Sequence, residues 1–279
     1  LSGSRFGIAV AAVNREFTQS SFSESGMTVA ISALGGEFQP PAVLWTTNIS
    51  GADAFAQKAA DFPSSVAPVN YTDAMNGTSA AAPQVSGAAA LLLQANPRLG
   101  YRDVKEILMK TALRDSLKGG EPFFTNKGGF TFSRSYGAGL LNVSGALALA
   151  ADWTNLLPWV SNEIVTDGGA IPSGVPGLVK TFVPALDLRT EHVELTVNVK
   201  HPKRGELGFI ITSPSGTKTY ADVRPNDDNA DFVDYTFTTP HFWGESSAGS
   251  WTLNIIDLTD NDQNGQLINA KLRIYGTAR

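Results

Sequence analysis

The apolar positions along this chain change period more than once. Near the start, Phe6 to Asn14 ("FGIAVAAVN") is a short, almost unbroken apolar run between Arg5 and Asn14. That pattern predicts a strand buried on both faces, as in a parallel sheet. Residues 35–78 are broken up by Gly, Pro and Ser and read as loops around one short strand, "AVLWTT". From Ala80 to Gln94 the residues are small or apolar nearly all round, which predicts a buried helix. Pro83 falls in its expected first turn, where no helical hydrogen bond is lost, and Asn96-Pro97 ends it. In a second helix Val104, Ile107, Leu108 and Thr111 repeat at helical spacing, with Arg102, Asp103, Lys105 and Glu106 expected to face water. A third runs over Val143 to Trp153 behind Asn142, a good cap residue.

The stretch from Asn155 to Ala185 has no helical period and contains "DGGAIPSGVPG", so it reads as a connection between domains. Beyond it the period becomes two. "HVELTVNVK", "LGFIIT", "FVDYTFTT", "SWTLNII" and "INAKLRIYG" alternate apolar and polar positions, separated by turn signals such as "SPSG" and "NDQNG". Five or more such strands with no helix between them predict an antiparallel sandwich. The expected division is residues 1–156, an α/β portion, followed by residues 157–279, an all-β sandwich or jelly roll.

Composition narrows the picture only a little. The 279 residues are 42% hydrophobic and 17% charged with a net charge of −5, enough apolar material for a sizeable core. No Lys/Arg run forms a basic stripe, so no nucleic-acid partner is expected, and no apolar stretch has the length of a membrane span. There is no cysteine, which excludes disulfides and thiolate metal sites. "LSGSRFGIAVAAVNREF" lacks the pattern of a signal peptide and reads as the interior of a domain.

Candidate chemistry centres on "NGTSAAAPQVSG", Asn76 to Gly87. Ser79 before an alanine-rich helix is what a helix cap looks like. It also suits a nucleophile. Three alanines leave room for a substrate carbonyl, Gly77 allows close backbone approach, and a helix N-terminus favours a developing oxyanion. The residues alone leave both readings open. Ser79 is not in G-x-S-x-G, which argues against an α/β-hydrolase elbow.

"NGTSAAAPQVSGAAALLLQANPRLGYRDVKEIL" resembles the serine segment of the subtilisin superfamily, G-T-S-x-x-x-P-x-x-x-G, and within it the kexin/furin-type branch, to which "LLLQANP", "YRDV" and "SRSYGAGLLNVSGALALAADW" are similar. "RGELGFIITSPSGTKT", "RPND", "DYTFTTPHFWGES" and "GSWTLNI" resemble, in order, the P domain (homo-B domain) that follows in that branch. The resemblance implies a secreted serine endopeptidase of bacterial type, with Ser79 as the acyl-forming nucleophile and its N–H as half of the oxyanion hole. It implies a protein or peptide substrate, with cleavage after basic residues as the branch's habit. It also implies structural Ca²⁺, with Glu24 of "FSES" standing where the branch has a calcium ligand.

The branch's order is Asp, His, Asn, Ser, yet residues 1–78 contain no histidine. His192, His201 and His241 all follow Ser79 in the strand region and read as surface or turn residues; Asp53, Asp61 and Asp73 precede it without matching the branch's Asp. The expectation is therefore the C-terminal part of a protease, inactive without the missing N-terminal part of the same enzyme as its partner. The alternative is a catalytically dead relative whose P domain binds or stabilises. The acidic stretches Asp257–Asp262 and Asp227–Asp231 read as solvated turns, with calcium binding left open.

Overall fold

The computed structural model describes residues 3–38, 44–47, 71–221, 227–259 and 264–279. The first strand, β1 (Ala9–Val13), pairs in parallel with β2 (Val29–Leu34). A hairpin of β3 (Leu44–Thr47) and β4 (Tyr71–Met75) leads into helix α1 (Thr78–Ala95). Helix α2 (Tyr101–Thr111) follows, then a two-residue ribbon of β5 (Phe124–Thr125) and β6 (Thr131–Phe132), then α3 (Val143–Ala151). Asn142 caps α3 as the sequence predicts, accepting a bond from Gly145 N–H at 3.0 Å.

The remaining chain forms two antiparallel four-stranded sheets. One has the order β12 (Phe232–Thr239), β9 (Leu188–Lys200), β14 (Gly265–Ala278), β7 (Trp159–Ile171). The other runs β11 (Lys218–Ala221), β10 (Leu207–Thr212), β13 (Trp251–Asp257), β8 (Leu178–Phe182). Alternation places Val193, Leu195, Val197 and Val199 of β9 against Phe209, Ile211, Leu253 and Ile255 in a closed sandwich core. The stretch expected to be a plain connection, 155–185, in fact supplies β7 and β8. Its Gly and Pro residues hide the strands from a period-two reading, and β7 lies at a sheet edge, where one face needs no apolar pattern.

Two further expectations are corrected. Helix α1 is not buried all round: Ala81, Val85, Ala88 and Leu92 are covered, while Leu91 and Leu93 are each 44% exposed. Conversely, three residues on the supposed water face of α2 are buried, namely Asp103, Lys105 and Glu106. The sandwich covers Lys105 and Glu106, whereas Trp153 and the segment after α3 cover Asp103. Arg189 donates to both Glu106 oxygens at 2.7 and 3.0 Å, and Trp243 Nε1 donates to Glu106 at 2.8 Å. Arg102 makes a matching two-pronged pair with Glu191 at 2.5 and 2.6 Å. Lys105 donates to Gly7 C=O at 3.0 Å, and burial brings its ammonium pKa down to about 8. Asp103 accepts from Gly100 N–H, Trp153 Nε1 and Leu156 N–H.

The two halves also exchange apolar anchors. Trp243, on the loop after β12, belongs to the core built on α1 and α2, while Met27 from the first half belongs to the sandwich core. Gly128 permits this approach, since a Cβ there would lie 2.3 Å from Trp243 C=O. Asn126 closes the joint by donating to the carbonyls of His241 and Trp243 at 2.9 and 3.0 Å.

Candidate active site

Helix α1 begins at Thr78, and its N-cap is Gly77 with φ 99°, a left-handed conformation that glycine tolerates. Ser79 is the second helical residue, so it is not the cap, and its hydroxyl makes no hydrogen bond among the described residues. The first intrahelical bonds run from Ala80 and Ala81 N–H to Gly77 C=O at 2.9 and 3.3 Å. The Ser79 N–H precedes them and is one of the orphan donors of the first turn. Pro83 is the sixth helical residue rather than a first-turn one, so it leaves Ser79 C=O without its usual donor four residues on.

The approach to the helix is pinned from three sides. Gly77 N–H donates to Gly35 C=O at 2.8 Å, and Asn76 Nδ2 donates to Glu37 C=O at 2.9 Å. Gln84 donates to Leu34 C=O at 2.6 Å, tying the first turns of α1 to the end of β2. A Cβ on Gly35 would sit 2.4 Å from Ala12 Cβ, so the glycine lets β1 and the serine turn come together. The result is an exposed hydroxyl on a rigid turn, beside free backbone donors at the positive end of an 18-residue helix. Such an arrangement can hold a nucleophile and can stabilise an oxyanion formed next to it.

An open cleft of about 890 Å³ adjoins this turn, lined by Thr78, Ala9, Phe22 and Glu24 from the first half and by Glu194 and Tyr235 from the sandwich. Glu24 is exposed on its wall and belongs to no cluster of three metal-ligating side chains among the described residues. A hard cation such as Ca²⁺ takes six to eight oxygens, so Glu24 fits as one ligand and does not make a site by itself.

No imidazole bonds to Ser79 among the described residues. The three histidines lie in the sandwich, and all are buried, contrary to the surface reading. His241 Nδ1 lies 2.8 Å from Thr219 Oγ1, His192 has neither ring nitrogen partnered among the described residues, and His201 faces Asp257 at 3.2 Å. Burial, aided by the charge of Arg134, pushes His241 down to about 3; burial, with Lys105 and Arg5, holds His192 well below its usual value. Asp73 is buried on β4, whereas Asp53 and Asp61 lie outside the described residues.

The solvated-turn expectation fails at Asp257 and Asp227. Asp257 is instead a fully buried end of β13, and Asp227 is paired with Arg204 at 2.8 Å. Asp231 accepts from His201 N–H at 2.9 Å, while Asp262 lies outside the described residues. The cluster of His201, Glu206 and Asp257 was not found from sequence, because it joins positions 56 residues apart that only the pairing of β10 with β13 brings together.

Comparison with known proteins agrees with this architecture. The subtilase family model matches residues 2–139, and the proprotein convertase P-domain model matches residues 190–274. Human furin is 34% identical over 217 residues, covering 74% of this chain and 27% of furin. The Aeromonas extracellular serine protease of Aeromonas sobria is 30% identical, covering 95% of this chain and 50% of the relative. The crystal structure of the serine protease of Aeromonas sobria superposes with a TM-score of 0.86 at 27% identity over 99% of this chain and 58% of that one. A second structure of that protease, in complex with a chaperone, gives 0.85 at 28% identity, covering 97% and 57%. The chain thus spans between about a quarter and a half of the length of these curated relatives. It belongs to the subtilase family, in the kexin/furin-type branch, joining subtilase sequence to a proprotein convertase P domain.

Proposed function

We propose that this chain is the serine-bearing portion of a secreted, kexin-like serine endopeptidase, divided at about residues 1–156 and 157–279. Ser79 attacks the scissile carbonyl, and its own N–H, at the open end of α1, holds the oxyanion. The observation that carries this reading is the turn Asn76–Ser79, whose unbonded hydroxyl and unbonded N–H sit together on a pinned helix N-terminus. A serine in this position needs an imidazole to take its proton. The sequence has no histidine before His192, and the buried histidines of the sandwich are engaged elsewhere or sealed in. The base, its carboxylate and the second oxyanion donor therefore come from polypeptide outside these 279 residues. One further feature supports such a partner: the exposed apolar side of α1 carrying Leu91 and Leu93.

The cleft beside Thr78 offers an extended peptide both walls of the molecule; Glu194 on its lining is already paired with Arg5 and Arg273, so cleavage after basic residues is proposed from the family resemblance. Were Ca²⁺ bound here, Glu24 would contribute one carboxylate, the ion would add fixed positive charge and rigidity to this wall, and its other ligands would have to come from outside the described residues. The protease that contains this chain is expected to cleave a dibasic peptide, with Ser79→Ala lowering kcat by at least about 10⁴-fold while leaving Tm within a degree or two, because the hydroxyl bonds nothing among the described residues. Equal activity in the Ser79→Ala protein refutes the assignment.

A further inference from the structure

We propose that His201, Glu206 and Asp257 form a divalent-cation site in the P domain, with nitrogen–oxygen donors suited to Zn²⁺ or a similar transition cation. This proposal is independent of the active-site reading. His201 follows β9, Glu206 ends the 3-10 turn Arg204–Glu206, and Asp257 ends β13. One ligand atom from each lies within 4.8 Å of the others. The side chains of His201 and Asp257 are fully buried, and Glu206 is half-buried.

The hydrogen bonds orient the set as a metal site requires. His201 Nδ1 lies 2.7 Å from Lys203 C=O, a pure acceptor, and this is a shorter contact than the 3.1 Å to Lys203 N–H. In the metal-free chain Nε2–H can donate to Asp257 Oδ2, 3.2 Å away, while Nδ1 accepts from Lys203 N–H; with the proton moved to Nδ1, against the Lys203 carbonyl, the lone pair of Nε2 is turned toward Asp257 for a cation to take. A ligating imidazole is normally fixed in this way through its other nitrogen. A cation placed between the two atoms replaces that proton and binds both lone pairs. At a bond length of about 2.1 Å from each, that cation would see the two atoms about 100° apart, close to tetrahedral.

The carboxylates point the same way. Asp257 Oδ1 is held by Thr259 N–H at 3.0 Å and Thr259 Oγ1 at 2.9 Å, which leaves Oδ2 for the ion. The same Thr259 hydroxyl lies 2.9 Å from Glu206 Oε2, so a single proton is shared between two carboxylates. Asp257 meets no Lys or Arg among the described residues, although a charge this deep is ordinarily paired or metal-bound. A dication with two carboxylates and one neutral imidazole is electrically balanced. Gly265 clears the space for the ring, since a Cβ there would lie 2.9 Å from His201 Cδ2. The imidazole excludes an all-oxygen preference and favours Zn²⁺ over Ca²⁺. Because β9 lies in one sheet and β13 in the other, a bound ion staples the two layers of the sandwich together.

The test is titration of the chelator-stripped protein with Zn²⁺ in the presence of excess Ca²⁺, read by native mass spectrometry and by Tm. The expected result is one Zn²⁺ per chain and a Tm rise of at least about 3 °C, with Co²⁺ giving a visible absorption band of low-coordinate geometry. Glu206→Gln, a half-buried isostere, should keep the metal-free Tm and lose affinity by at least about tenfold. Three results overturn the proposal: no stoichiometric Zn²⁺, unchanged affinity in Glu206→Gln, or a Tm rise with Ca²⁺ that Zn²⁺ does not give but Glu206→Gln abolishes.

Discussion

At Ser79 the helix is arranged around what it leaves unbonded. Gly77 takes the cap position that a serine would otherwise fill, and Pro83 removes the donor that would engage the Ser79 carbonyl. Hydroxyl, N–H and carbonyl of one residue are thereby all left outside the helical ladder. A buried histidine elsewhere carries a different consequence. His241 is held neutral with a pKa of about 3, against roughly 6.5 in an unfolded chain. The folded state thus binds fewer protons than the unfolded state between those values. The stability this contributes is complete above about pH 6.5 and falls as pH drops toward 3. Urea midpoints should decline through that window, and His241→Gln should flatten the decline by up to about 1.4 kcal/mol per pH unit. An unaltered pH slope in the variant would rule this out.

At the level of elements, α2 shows how much tertiary contact overrides pattern. Its apolar stripe is legible in Val104, Ile107 and Leu108, and the helix forms where that stripe predicts. Its charged face was not legible as an interface. Nothing in the spacing of Asp103, Lys105 and Glu106 shows that Arg189 and Trp243 lie opposite, more than 80 residues later. The strand alternation of β9, β10 and β13 was plain, because each has one face in the core. The strands β7 and β8 were missed, because edge position and Gly-Pro content remove that alternation. Ser79 stood out through its neighbours, whereas His201 and Asp257 did not, because their meeting depends on sheet register. Glu106 makes a direct prediction. Glu106→Ala leaves a part-buried guanidinium and a buried indole N–H without their acceptor, and should cost about 2–3 kcal/mol in chemical denaturation. Glu106→Gln keeps one acceptor and should recover part of the loss.

For the whole molecule, the two halves are cross-anchored rather than merely adjacent. Trp243 sits in the first core and Met27 in the second, with two bidentate Arg–Glu pairs between them. Trp243→Ala removes the anchor with the larger buried area and should destabilise both halves by about 3–5 kcal/mol in one cooperative transition. Separate melting of the sandwich at its original temperature would show that the halves are energetically independent. The cross-anchoring makes the P domain part of the scaffold that holds α1 and, with it, the proposed nucleophile Ser79.

That completion is the central claim, and labelling with a fluorophosphonate probe tests it most directly. The 279-residue chain should take up no label, while the protease containing it should be labelled at Ser79 and lose the label in Ser79→Ala. Labelling of the chain alone at Ser79, or labelling of the complete protease at another serine, would contradict it.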